Sequence, residues 1–225
     1  MESEKAHNAA VARHSILVYT GTIHEAIDLY EAAKEYCTSS PDLSEAQVLL
    51  LDFAKAYDSL NREFLLAVLQ AKGFPPKFCQ IVQAIHTNTT VQFMANGEIS
   101  RRLQVTSGIR QGCPLAPLLF ILAVDLLYDE IEGRQDIRGI ELDETRPHKN
   151  LKVAGYADDA AIYIADMVLQ QAVIDAVARF SNVSGLSLNL KKSAAIRLGS
   201  RIRLESDTQA TNRHEAKRRS LLHAI

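Results

Sequence analysis

The stretch Leu151-Lys152-Val153-Ala154-Gly155-Tyr156-Ala157-Asp158-Asp159-Ala160-Ala161-Ile162-Tyr163-Ile164 constrains the fold more than any other part of the chain. Two short apolar runs flank a polar step, a pattern that reads as two strands around a tight turn. The turn holds two adjacent carboxylates and no Lys or Arg. Neighbouring ionised carboxylates in apolar surroundings are costly unless a cation compensates them, and a divalent metal is the simplest compensation. An ordinary exposed turn is the bland alternative, since Asp bonds its own backbone in turns.

A third carboxylate favours the metal. Val48-Leu49-Leu50-Leu51-Asp52-Phe53 predicts a buried strand that delivers Asp52 to its carboxyl end. Hard oxygen ligands from two strands suit Mg²⁺, which keeps several waters and takes one or two carboxylates plus substrate phosphates. Two such ions can clamp the attacking and leaving oxygens of an in-line phosphoryl displacement, and Asp52, Asp158 and Asp159 have the composition of that site. A helix follows, with Leu60, Phe64, Leu65, Val68 and Leu69 at helical spacing and Asp58 or Ser59 as the expected cap.

Between the two acidic strands, Thr106-Ser107-Gly108-Ile109-Arg110-Gln111-Gly112-Cys113-Pro114 runs into an apolar helix expected from Pro114 to about Ile131. Proline suits a helix start because its missing N–H would be unpaired there. Amides at a helix N-terminus, with Arg110 and Gln111 beside them, can meet a phosphate or a base edge.

In this order the segments resemble motifs A, B, C and D of reverse transcriptases: Leu51-Asp52-Phe53-Ala54-Lys55-Ala56-Tyr57-Asp58, then Ser107-Gly108-Ile109-Arg110-Gln111-Gly112-Cys113-Pro114-Leu115-Ala116-Pro117-Leu118-Leu119-Phe120, then Tyr156-Ala157-Asp158-Asp159, then Asn189-Leu190-Lys191-Lys192-Ser193. The Arg-Gln-Gly-Cys-Pro-Leu wording and the Ala inside the Tyr-Ala-Asp-Asp box are similar to non-LTR (LINE-type) retrotransposons. Residues 22–198 carry the resemblance. It implies an RNA-directed DNA polymerase that joins dNTPs to a DNA primer on an RNA or DNA template. Two Mg²⁺ ions, with Mn²⁺ as a substitute, would be held by Asp52 and Asp158 and supported by Asp159. Tyr57 would lie beneath the incoming sugar, where a ring clashes with a 2′-hydroxyl. Gln111 and Gly112 would touch template and nucleotide, Gly112 by allowing close backbone approach. Phe53, Arg110 and Tyr156 complete the substrate-contacting set, and Lys192 would protonate the leaving pyrophosphate.

The expected fold class is α+β, a polymerase palm-like antiparallel sheet with helices on one face. A capping box at Thr22 opens a helix to about Tyr36, a second helix runs from about Pro76 to His86, and a hairpin turns at Asn96-Gly97. Residues 168–181 have helical spacing, and residues 194–198 read as an edge strand. The domain expectation is a loose segment over residues 1–21, the palm over 22–198 and a basic, flexible tail over 199–225. Only about fifty residues precede Asp52, so fingers, thumb and endonuclease parts are expected on the same polyprotein. The competing reading is a non-catalytic remnant that keeps the motifs.

Charge and apolar content narrow the setting. A nucleic-acid-holding protein usually carries a basic footprint, yet the formal net charge is -2, with the basic excess gathered in Arg201, Arg203, Arg213, Lys217, Arg218 and Arg219. No apolar run approaches the ~20 residues of a membrane span, and the start lacks a signal peptide, so an intracellular protein, nuclear or cytoplasmic, is expected. Cys37, Cys79 and Cys113 are widely spaced without Cys-x-x-Cys, which fits reduced thiols.

Overall fold

The computed structural model describes residues 18–19, 23–142, 150–156 and 159–199. Thr22, Ala157, Asp158 and the basic tail expected from residue 199 onward therefore lie outside the described residues, save Gly199 itself. In chain order the strands are β1 (Val18–Tyr19), β2 (Gln47–Leu51), β3 (Phe53–Ala54), β4 (Thr90–Val91), β5 (Met94–Ala95), β6 (Glu98–Ile99), β7 (Leu103–Gln104), β8 (Ile140–Glu141), β9 (Asn150–Leu151), β10 (Val153–Tyr156), β11 (Asp159–Ile164), β12 (Ser187–Leu188) and β13 (Ala194–Arg197). The α-helices are α1 (Ile23–Ser39), α2 (Ala56–Ser59), α3 (Arg62–Ala71), α4 (Pro76–His86), α5 (Ala116–Gly133) and α6 (Gln170–Ser184). The chain divides into two compact units, one of Met1–Asp52, Leu127–Val177 and Leu188–Ile225, the other of Phe53–Leu126 and Ala178–Ser187.

The first unit is built on a five-stranded sheet in the order β1-β10-β11-β2-β13. The hairpin read from the sequence is β10 and β11, antiparallel, with Tyr156 opposite Asp159. β2 pairs antiparallel with β11 on one side and β13 on the other, which makes residues 194–197 the edge strand that the sequence predicts. β1 pairs parallel with β10, the other pairings of this sheet being antiparallel, and it lies within the residues 1–21 expected to be loose. Two residues carry no period, so this strand arises from its partner and not from its own pattern. Ala33 and Cys37 of α1 pack with Val48, Tyr163, Leu151 and Ala154 in one buried cluster. Burial there pushes the Cys37 thiol up to about 11, which suits a core residue and not a nucleophile.

The second unit is mainly helical, with a hairpin. α4 spans the residues expected of it. Helix α3 is capped by Asn61, whose side chain accepts from the amides of Glu63 and Phe64 at 2.8 and 3.0 Å, and not by Asp58 or Ser59. Those two residues belong to α2, where the Ser59 hydroxyl turns back to the Ala54 carbonyl at 3.3 Å. Asn61→Ala is expected to cost about 1 kcal/mol, lowering the melting temperature by about 2–4 °C, which a thermal melt reads directly. Asn96 and Gly97 turn the β5–β6 hairpin with φ of 51° and 84°, the left-handed pair that a two-residue turn needs. Below it β4 pairs with β7, and residues 92–93 face residues 100–102, a bulge closed by the Ser100 hydroxyl accepting from the Phe93 amide at 2.9 Å.

Helix α5 begins at Ala116, two residues after the expected start, because Cys113 and Ala116 close tight turns on Arg110 and Cys113 at 3.2 and 3.0 Å. The first-turn proline is therefore Pro117. All three cysteines are unpaired. Among the described residues no helix is long and apolar enough to cross a membrane.

Candidate active site

In the sheet unit, Asp52 follows directly on Leu51, the last residue of β2. Ala160 is paired with Leu51, so the register carried one step further sets Asp159 across from Asp52. Alternation along a strand puts Val48, Leu50 and Asp52 on one face, and Tyr163, Ala161 and Asp159 on the same face of the neighbour. That face is closed at Val48 and Tyr163 and opens at Leu50, which is 40% exposed. Asp52 is half-buried and Asp159 exposed. A buried pair of interior strands thus carries two carboxylates out to solvent at its end.

The main chain of Asp52 is held independently of its side chain. Its carbonyl accepts from the Asn189 amide at 2.7 Å, and its amide donates to the Ser193 hydroxyl at 3.1 Å. Ser193 in turn donates to the Asn189 carbonyl at 3.0 Å, and the Lys192 amide does so at 3.0 Å. This turn brings Lys192 Nζ to 3.9 Å from Asp52 Oδ2, with the lysine side chain 71% exposed. An ion pair so open to water contributes little to stability.

Among the described residues no three His, Cys, Asp or Glu side chains come together as a metal cage. Asp52 and Asp159 nevertheless fit Mg²⁺ by donor chemistry: hard carboxylate oxygens, two in number, on adjacent strands and open to solvent, the set that a water- and phosphate-carrying ion takes.

In the other unit, Phe53 is buried and its ring meets Phe180 at 6.2 Å between centroids. Its side chain belongs to the core, away from the substrate contact expected of it. The chain then turns at Lys55, whose φ of 50° is a left-handed conformation uncommon for lysine. Half-buried Tyr57 stacks on Phe120 at 5.0 Å and 24°. The loop that precedes α5 is fastened to this segment: the Gly108 amide donates to the Leu60 carbonyl at 2.8 Å, the Ile109 amide to the Tyr57 carbonyl at 2.7 Å, and the Ser107 hydroxyl to the Asp58 carbonyl at 3.0 Å. Beyond that base Arg110, Gln111 and Gly112 are exposed, with Gln111 Nε2 donating to Asp58 Oδ1 at 3.2 Å. Arg62, whose guanidinium bonds the carbonyls of Ser107 and Gly108, is a structural partner of this loop that the sequence reading did not single out.

Residues 12–217 match the family of reverse transcriptases (RNA-dependent DNA polymerases). The chain belongs to the reverse transcriptase family. It is 28% identical over 152 residues to the Transposon TX1 uncharacterized 149 kDa protein of Xenopus laevis, a match covering 68% of this chain and 11% of that one. It is 29% identical over 150 residues to the Retrovirus-related Pol polyprotein from type-1 retrotransposable element R2 of Popillia japonica, covering 66% and 20%. The resemblance to non-LTR retrotransposon reverse transcriptases drawn from the motifs is borne out by these relatives. The chain spans about a tenth to a fifth of their lengths. Apo telomerase from Candida tropicalis shares the fold, with a TM-score of 0.56 and 14% identity over 86% of this chain and 36% of that one.

Proposed function

We propose that this reverse transcriptase chain supplies the catalytic palm of an RNA-directed DNA polymerase, extending the 3′-hydroxyl of a DNA primer with dNTPs on an RNA template. The observation that carries this reading is the register of β2 against β11, in which Leu51 pairs with Ala160, so that Asp52 and Asp159 come next at the ends of two neighbouring interior strands. Asp52 and Asp158 would hold two Mg²⁺ ions, with Asp159 supporting them. Bound there, the ions supply charge stabilisation to the attacking and leaving oxygens of an in-line phosphoryl displacement.

The chain's own residues supply position and proton. The Asn189 and Ser193 bonds fix Asp52 at the strand end whatever its side chain holds. Lys192, exposed on the turn that these bonds define, is the general acid for the departing pyrophosphate. The Tyr57 ring, steadied by Phe120, bars a 2′-hydroxyl and so selects dNTPs. Gln111 and Gly112, exposed beyond the fastened base of their loop, contact template and nucleotide, and Arg110 and Tyr156 are further substrate contacts.

The test is primer extension by the purified protein on a primed RNA template, with Mg²⁺ or with EDTA. Extension that needs the metal is expected, and a folded protein that extends nothing sinks the reading. Replacing Tyr57 with Val should raise incorporation of rNTPs relative to dNTPs by about 10- to 100-fold, the range over which a pocket rejects one added hydroxyl. An unchanged ratio would remove Tyr57 from sugar selection.

A further inference from the structure

We infer that Arg62 is the positioning residue of the loop that presents Gln111 and Gly112, locking it to the segment that bears Tyr57. The inference rests on the polymerase reading for what the loop does, and on the hydrogen bonds of one guanidinium for how it is held. Arg62 Nε donates to the Gly108 carbonyl at 2.8 Å, Nη2 to the Ser107 carbonyl at 3.1 Å, and Nη1 to the Val105 and His86 carbonyls at 2.9 and 2.6 Å. Four of the five N–H groups of an arginine are thereby used. Every acceptor is main chain and none is a carboxylate, so the residue reads where the backbone lies and not what charge is near.

The acceptors come from three places: the end of α4, the stretch that leaves β7, and the loop itself. The loop's own amides at Gly108 and Ile109 meanwhile donate to Leu60 and Tyr57. Donors of the loop are thus satisfied by the Tyr57 segment, and its acceptors by Arg62 at the start of α3. Residues 107–109 are fixed from both sides, and that base sets where Gln111 and Gly112 emerge. Two further facts accord with this role. A cation in the first turn of a helix opposes the helix dipole, so Arg62 is not there for the sake of α3. Burial also holds its guanidinium below the usual arginine range, as expected of a desolvated cation that faces only carbonyls.

The experiment measures KM for dNTP and kcat separately in primer extension by the wild type, Arg62→Lys and Arg62→Met. Loss of the fork should let the loop wander by about an ångström, a misplacement worth up to about 100-fold. Arg62→Met is therefore expected to raise KM by about 10- to 100-fold, with Arg62→Lys in between. A merely structural role would lower the folded fraction, and with it apparent kcat, while leaving KM of the surviving molecules unchanged; that result overturns the inference. If Arg62→Met does not fold, Arg62→Lys decides by the same criterion, a KM equal to wild type being fatal. Should the wild type extend nothing, it is the polymerase reading that has failed. Amide hydrogen exchange then tests Arg62 alone: exchange at Gly108 and Ile109 about tenfold faster in Arg62→Lys, with the rest of the protein unchanged, supports the clamp, and equal protection refutes it.

Discussion

Asp52→Asn is expected to reduce primer extension by about 10³-fold or more while leaving the protein as stable as the wild type. The activity side follows from charge. A metal site worth several kcal/mol of transition-state stabilisation loses a factor of ten for each 1.36 kcal/mol removed, and Asn supplies a neutral oxygen where a carboxylate stood. The stability side follows from how Asp52 is held. Its amide and carbonyl are bonded to Ser193 and Asn189 through the main chain, so the amide side chain inherits the same place. The exposed Lys192 pair, at 3.9 Å, gives up little when it goes, and the neighbouring Asp159 loses a like charge across the sheet. Circular dichroism melts beside extension assays decide the matter. A variant that melts like wild type and is inactive identifies the charge as the working part. A variant that still extends primers at the wild-type rate removes Asp52 from the chemistry and with it the reading proposed for this chain.

What the sequence disclosed here was what local physics writes in local patterns. The β10–β11 hairpin and the β2 strand were legible because apolar residues ran unbroken to their carboxylates, and the Asn96-Gly97 turn because only a left-handed pair closes so short a connection. Helix α4 was legible from the proline that opens it. Features decided by distant partners were not. Val18 and Tyr19 become a strand only because β10 offers an edge. Asp58 and Ser59 resemble helix caps, but a short helix claims them first and passes the capping to Asn61. Phe53 stands beside Asp52 in the sequence, yet it begins a separate strand and its ring is buried against Phe180 in the core. Arg62 did leave a trace in the sequence, a basic residue at the start of a helix against the dipole, a local inconsistency of the kind that marks a residue serving something other than its own element.

Gly108→Ala and Gly112→Ala should part company, although the two glycines sit four residues apart in one loop with nearly the same φ, +77° and +80°. A Cβ at Gly108 would lie 2.6 Å from the Asp58 carbonyl oxygen and 2.7 Å from both the Asp58 Cα and the Tyr57 carbonyl oxygen, all main-chain atoms that cannot swing aside. Left-handed strain of about 1–2 kcal/mol adds to that collision. A loss of about 3 kcal/mol or more is therefore expected, of the class produced by strain at a special backbone position, lowering the melting temperature by about 6–12 °C. A Cβ at Gly112 meets nothing within 4 Å, so only the conformational strain remains and the melt should fall by no more than a few degrees. The positive φ accounts for glycine here by itself, and on the polymerase reading proposed above the missing side chain also leaves room for template or nucleotide. Extension by Gly112→Ala should accordingly drop by about tenfold or more, through a methyl group that intrudes on the bound substrate. If Gly112→Ala polymerises as well as wild type, the loop's exposed end does not contact substrate. If Gly108→Ala melts with the wild type, the loop is not fastened to the Tyr57 segment as described.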